Sequence, residues 1–294
     1  LCKFPANTNL GDVTIVRAQS RSTLGALSVK ERQANMKVTR KLPHWDGAAF
    51  STTHENPNPA LLVPTKRADD IIAAIALDPY IGNRTVDELD LTNIYATVQE
   101  VITYFNNQDI CGQFCYTFDD VDVSFEEMVA AVANAIFCIA YRRGSQIKLR
   151  MERPQQDATL LFNHRNKIPG TEVRTIRFGV QDSHDGVEFE YISPLDDSPT
   201  VFYIPEDRSA KNPRRVESVG IRSRIQAYYQ AYRIWNKIRY QNVTVEFEAT
   251  QEADLLILQD RILVADNTRA DTQDGEVIEQ NGLELTLSQP VVLE

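Results

Sequence analysis

The sequence predicts an α+β fold in which strands and helices are segregated along the chain. Three observations carry this reading. Apolar and polar residues alternate with a period of two near both ends, helical spacing dominates a block between them, and a tract with three prolines precedes that block. The expected organisation is a β-rich segment over residues 1–60, the end of a domain begun upstream. An inserted helical α+β subdomain over 64–170 and a β-rich domain over 173–294 follow, the last carrying one long helix at 221–239.

Taking the elements in order, Val13 and Ile15, then Met36 and Val38, alternate with polar neighbours and read as β structure. Between Thr52 and Pro64 the three prolines and their turn-forming neighbours exclude both a helix and a central strand. A helix over Arg67–Leu77 places Ile71, Ile72 and Ile75 at helical spacing and stops before Asp78-Pro79. Thr92–Phe105 forms a second, with Tyr95, Val98, Ile102 and Phe105 on one stripe. The third opens on Ser124-Phe-Glu-Glu127, a capping box, and is expected to run to Arg142 with Phe125, Met128, Val129, Val132, Ile136 and Ile139 on one face. Gly144 would cap it and a strand over Gln146–Met151 would follow.

Alternation returns at 173–178 and 187–191, and Asp182–Gly186 between them has hairpin-turn chemistry. The long helix carries Ile221, Ile225, Tyr228, Tyr232 and Trp235 in a narrow seam expected to pack on a sheet. Val243–Phe247, Leu255–Leu258 and Ile262–Ala265 read as strands. Val277–Leu287 reads as a hairpin through Gln280-Asn281-Gly282.

Composition bounds the function. At 294 residues the chain is long enough for two domains. With 43% apolar and 24% charged residues it is expected to be ordered almost throughout. The formal net charge of −10 argues against specific nucleic-acid binding, which needs cations to neutralise phosphates, and suits a wall past which DNA slides without sticking. No apolar run reaches the roughly 18 residues of a membrane span. The first ten residues lack a start Met and a secretion-signal pattern, so the N-terminus is expected to be cut from a longer chain.

The residues that carry most chemistry do not assemble into a motif. Cys2, Cys111, Cys115 and Cys138 are too few and too irregular for a disulfide scaffold and suit a reducing cytoplasm. Cys111-Gly-Gln-Phe-Cys115 lacks the further ligands of a zinc site, and Cys138 is expected to pack in the core. His44, His54, His164 and His184 are scattered. Asp119-Asp120-Val-Asp122 lies at a helix start and lacks the rest of a calcium loop, while Asp196-Asp197 lies in a turn. No phosphate loop or nucleophile elbow is present, so no catalytic residue, metal or cofactor is assigned and no enzyme activity is expected. Two basic clusters, Lys37, Arg40 and Lys41, and Lys211, Arg214 and Arg215, are open to two readings: contact with an acidic partner or, more commonly, a strand edge guarded by charge. Trp45 and Trp235 are candidate interface anchors, the core being the simpler expectation for Trp235.

The stretches Lys37–Gly47, Phe125–Leu149, Tyr240–Asp254 and Asp260–Thr268 resemble the lambda-like bacteriophage tail-tip attachment, or host-specificity, proteins, and the similarity runs over most of residues 35–294. The resemblance implies a structural, trimeric hub at the end of a non-contractile tail. Its β-rich domains would extend or close the tail tube and contact the distal tail and tape-measure proteins. Host receptors would be reached through regions outside this chain. It further implies a virion protein made in the bacterial cytoplasm, with no catalytic residues to carry over. The contrasting reading is a carbohydrate-binding or carbohydrate-cleaving tail module, supported by the acidic clusters and the two tryptophans. That reading requires exposed aromatic side chains beside a cleft.

Overall fold

The computed structural model describes residues 38–118, 122–176, 184–241, 243–265, 276–288 and 290. The fold is mixed α+β, with helices grouped ahead of several small sheets. Of the N-terminal strands expected from alternation, all but Val38 lie outside the described residues, and Val38 is exposed and irregular. β1 (Lys41–Leu42) pairs antiparallel with β2 (Val63–Pro64), closing the proline tract into a strap. Within the strap the prolines permit one 3-10 turn at Pro59–Leu61.

α1 (Ala68–Leu77) carries Asp69 and Asp70 in its first turn, where carboxylates favour the helix dipole, and stops at Asp78, held extended before Pro79. α2 (Leu91–Tyr104) is capped by Asp90, whose side chain accepts the Asn93 N–H at 2.9 Å. α3 (Phe125–Ala135) opens on the expected capping box. Ser124 Oγ accepts the Glu127 N–H at 3.3 Å, and Glu127 Oε2 accepts the Ser124 N–H at 2.8 Å. Ile72, Val98, Val101, Val132 and Ile136 are fully buried where these helices meet.

The third helix is shorter than the sequence predicts. It ends at Ala135, and residues 138–143, expected as its last two turns, form β3 (Cys138–Arg143) instead. The stop is Phe137, which takes a left-handed φ of 63° at the place glycine usually occupies; its ring is fully buried against Phe105 at 4.3 Å. Gly144 therefore caps no helix. With φ 63° it starts the two-residue turn between β3 and β4 (Gln146–Met151). β4 alternates inward Ile147, Leu149 and Met151 with outward polar residues and lies on α2.

β5 (Leu160–Phe162) precedes β6 (Val173–Ile176), which pairs with no neighbour in sequence. Asp182 and Ser183, which open the expected hairpin turn, lie outside the described residues; among the described residues β6 and β7 (Gly186–Ile192) do not pair with each other. β7 has both edges filled, by β8 (Pro199–Ile204) antiparallel and β9 (Pro213–Glu217) parallel, so β6 cannot pair with β7. β6 pairs instead with β10 (Val243–Glu246), beyond the long helix α4 (Arg224–Tyr240).

α4 packs on β7 with the face opposite to the expected seam. Its buried residues are Gln226, Ala227, Gln230 and Ala231; of the expected seam Ile225, Tyr228 and Tyr232 are exposed, while Ile221, ahead of the helix, is buried and Trp235 packs against the core. The physical reason is hydrogen bonding. Gln226 Nε2 donates to the carbonyls of Gln113 at 3.0 Å and Ala135 at 2.9 Å, and Gln230 Nε2 to Asn134 at 2.7 Å, satisfying backbone groups left open at the end of α3 and after the 3-10 turn Asp109–Gly112. The alanines between them allow close approach. The apolar core accordingly crosses residue 170, where the sequence predicts a change of domain. Ile72, Val98 and Val132 share it with Val187, Phe189, Ile204, Ile221 and Ala227.

In the C-terminal quarter, Leu255–Leu258 is not a strand. A 3-10 helix over Gln251–Leu255 occupies its start. β11 (Ile262–Val264) pairs parallel with β5, and β12 (Val277–Asn281) and β13 (Glu284–Leu287) form the expected hairpin around Gly282, at φ 65°. On that hairpin Val277, Ile278, Leu283 and Leu285 are all exposed among the described residues.

Candidate functional site

The basic clusters fall on separate sheets. Arg40 and Lys41 are exposed at β1, while Lys37 lies outside the described residues. Arg214 and Arg215 sit on β9, an edge of the three-stranded sheet, where Arg215 Nε lies 3.4 Å from Glu188 Oε2 on β7. Cations on an outer strand oppose stray pairing with another sheet. Trp45 is half-buried, its ring edge-on to Phe50 at 4.8 Å and packed on the core, as is that of Trp235. Neither tryptophan stands as an exposed platform.

The groups with most chemical potential are held for packing. Burial raises the Cys111 thiol to about 12 and pushes Cys138 up further still, so neither is a thiolate near neutrality. Among the described residues no group of His, Cys, Asp and Glu has the arrangement to hold a metal ion. Asp196 is turned onto Ser198 Oγ at 2.7 Å and Asp197 onto Arg222, which keeps that acidic pair in its turn. Asp119 and Asp120 lie outside the described residues.

One polar centre escaped the sequence. Asp70, fully buried in the first turn of α1, accepts from Thr65 Oγ1 at 2.7 Å and from the Trp45 N–H at 3.1 Å, with His44 Nδ1 at 2.9 Å. All three partners belong to the strap, so one carboxylate fixes it to the helical core. A His-Asp pair of this kind orients a base in nucleophilic catalysis. Here Ser51 Oγ accepts the His44 backbone N–H at 3.0 Å, so its contact is to the main chain rather than to the ring. Next to it Asp69 pairs with Arg67 at 2.6 Å; burial nevertheless raises its carboxyl above the ordinary value.

A shallow cleft, open to solvent, lies on the outer side of α4. β8 contributes Phe202 and Tyr203, the turn after it Glu206 and Arg208, the loop after α2 Gln108, and α4 Arg224, Ile225, Tyr228 and Tyr229. Its two lobes, of about 230 and 370 Å³, share Glu206, Arg224 and Tyr228. Tyr228 stacks toward Phe202 with ring centres 6.4 Å apart and leans on Tyr232 at 4.5 Å; the Tyr232 hydroxyl, hydrogen-bonded to it, raises the Tyr228 phenol. The Arg208 guanidinium sits over the Tyr203 ring at 4.4 Å. Tyr228 and Tyr232 were legible as a stripe, but the stripe carried no sign that it faces outward.

The sequence matches no protein-family model and no curated protein. Among solved structures the chain is similar to "the tail protein from Neisseria meningitidis MC58", with 10% sequence identity and a TM-score of 0.34, over 62% of this chain and 60% of that one.

Proposed function

We propose that the chain is a non-enzymatic structural component of a bacteriophage tail tip, assembling as a trimeric hub that extends or closes the tail tube and supports host attachment and DNA delivery. The sequence resemblance to lambda-like tail-tip proteins supplies the class. The observation that carries the reading is the exposure of apolar side chains on isolated strand pairs. Val173, Ile176 and Val243 on β6–β10 stand in solvent, as do Val277, Ile278 and Leu285 on β12–β13. An isolated two-stranded ribbon is at best marginally stable in water, and apolar strand surface of this kind is covered in the assembled state of oligomeric proteins. A ring of three joins two different surfaces of each copy head to tail, and these strand pairs supply one of them. The net charge of −10 suits a channel along which DNA passes without adhering.

The test is a map of the assembled tail tip by electron microscopy. Three copies per tip with β6–β10 and β12–β13 at subunit contacts are expected. A single copy, or a channel wall dominated by Lys and Arg, overturns the reading.

A further inference from the structure

We propose that the cleft between β8, the turn after it and the start of α4 binds an acidic saccharide. In this arrangement Arg224 grips the carboxylate, Glu206 accepts from ring hydroxyls, and Tyr203 and Tyr228 lie against the sugar faces. The proposal is independent of the tail-tip reading, since it rests on the cleft alone.

The first argument is charge. Arg224 and Glu206 line both lobes, and neither forms an ion pair with the other or with any other described residue. Opposite charges that share a cleft without closing on each other leave a planar donor fork and an acceptor facing the same space. A complementary ligand carries an anionic acceptor for the fork and neutral O–H donors for the carboxylate. Uronic and other carboxylated sugars offer both within one ring.

The second argument is surface. Sugars present flat C–H faces, and two tyrosines line the cleft beside Arg224, Tyr228 exposed and Tyr203 half-buried, whose apolar body and polar tip suit a ligand that is wet at its edge. Tyr203 is held in place by Arg208, and Tyr228 by Phe202 and Tyr232. Beneath them α4 is pinned by the Gln226 and Gln230 amides, so the platform is ordered before any ligand arrives. Stacked bases of single-stranded nucleic acid also use such rings, but they need a basic groove that tracks a run of phosphates, whereas Arg208 and Arg224 here share the cleft with Glu206. The combination therefore favours the saccharide.

The experiment titrates the intact chain with digalacturonic acid, with the neutral galactose disaccharide and with an oligothymidylate, by calorimetry and saturation-transfer NMR. Saturable binding of the acidic disaccharide is expected, with the neutral sugar at least about tenfold weaker because the charge-assisted fork is lost. Arg224→Gln should bring the two sugars to within about threefold of each other. Tyr228→Ala should abolish binding and Tyr228→Phe retain it, separating stacking from the hydroxyl. Arg224 and Tyr228 are exposed, and unchanged thermal melts verify that the variants fold. No saturable binding of either sugar, equal affinity for both, indifference to Arg224→Gln, or tighter binding of the oligothymidylate overturns the proposal.

Discussion

The helical core and the C-terminal strand pairs draw on the same residue types, Val, Ile and Leu in regular patterns, and treat them oppositely. In α1–α3 the apolar positions are dry: Ile72, Val98, Val101 and Val132 have no exposure at all. In β12–β13 Ile278 is 68% exposed and Leu283 wholly so. The difference lies in what each element finds to pack on. Three helices and the β3–β4 hairpin enclose one another, whereas among the described residues β6–β10 and β12–β13 are two-stranded pairs whose apolar side chains are mostly exposed. A pattern in sequence specifies which face of an element is apolar; it does not specify whether the covering partner is in the same chain.

The sharpest way to break that comparison is to place the same charge in both regions. Val132→Asp buries an unpaired carboxylate in the centre of the helical core and should cost several kcal/mol, about 3 or more, enough to unfold it. Ile278→Asp should change stability by no more than about 0.5 kcal/mol, since the side chain already stands in water. Chemical denaturation reads both. Equal losses would mean that the ribbon is a structural part of the monomer, and the contrast would fail.

Next in size is the strap. Asp70→Ala leaves the Thr65 hydroxyl, the Trp45 N–H and the His44 ring, all half-buried, without their acceptor, a loss of about 2–4 kcal/mol for the three together. Limited proteolysis should then cut within residues 41–66 while α1–α3 stay protected. Cutting that begins in α2 would show that the strap and the helices unfold as one unit. Gln226→Ala, which frees the Gln113 carbonyl and leaves that of Ala135 to Gln230 alone, should cost about 1–3 kcal/mol by the same reasoning, measured by thermal melting. Gln226→Leu restores bulk without the amide; if it recovers the loss, packing rather than hydrogen bonding fixes α4.

These contacts also show where the sequence was readable. α1, α2 and the capping box of α3 were legible because local chemistry alone settles them, as was the Gly282 hairpin. The end of α3 was not, because the residue at left-handed φ is Phe137, whose strain is outweighed by burial of its ring against Phe105 and the core. The face of α4 was misread for the opposite reason. Its buried side is polar by composition, and only the carbonyls at the end of α3, distant in sequence, make Gln226 and Gln230 inward residues. The partner of β6 was hidden because it depends on β7 having filled both its edges. For the candidate site, Arg214, Arg215 and Trp45 were visible as residue types, whereas the cleft depends on Tyr203, Glu206 and Arg224 meeting across three segments, which no spacing announces.

The smallest expected effect tests how the helical core joins its own hairpin. Asp90 does two things at once: it caps α2 and its Oδ2 lies 2.6 Å from Lys148 Nζ on β4. Both groups are about three-quarters buried by side chain, so the pair is worth no more than about 1 kcal/mol after solvent screening. Lys148, with the Asn93 N–H, holds the Asp90 carboxyl below its ordinary value of 3.8. A depressed folded pKa means that the ionised form is favoured by folding. Its contribution is complete above the unfolded value near 4 and fades as pH falls through the lower folded value. Wild type should therefore exceed Lys148→Met in stability by about 1 kcal/mol at pH 7, and by progressively less below pH 4. The difference between the two proteins, rather than either alone, is the quantity to follow, because Glu172 and Asp260 are depressed in the same way and lower both curves. A gap that stays constant down to pH 2 would assign the effect to packing of the lysine stem against the helix and remove charge from the join between helix and hairpin.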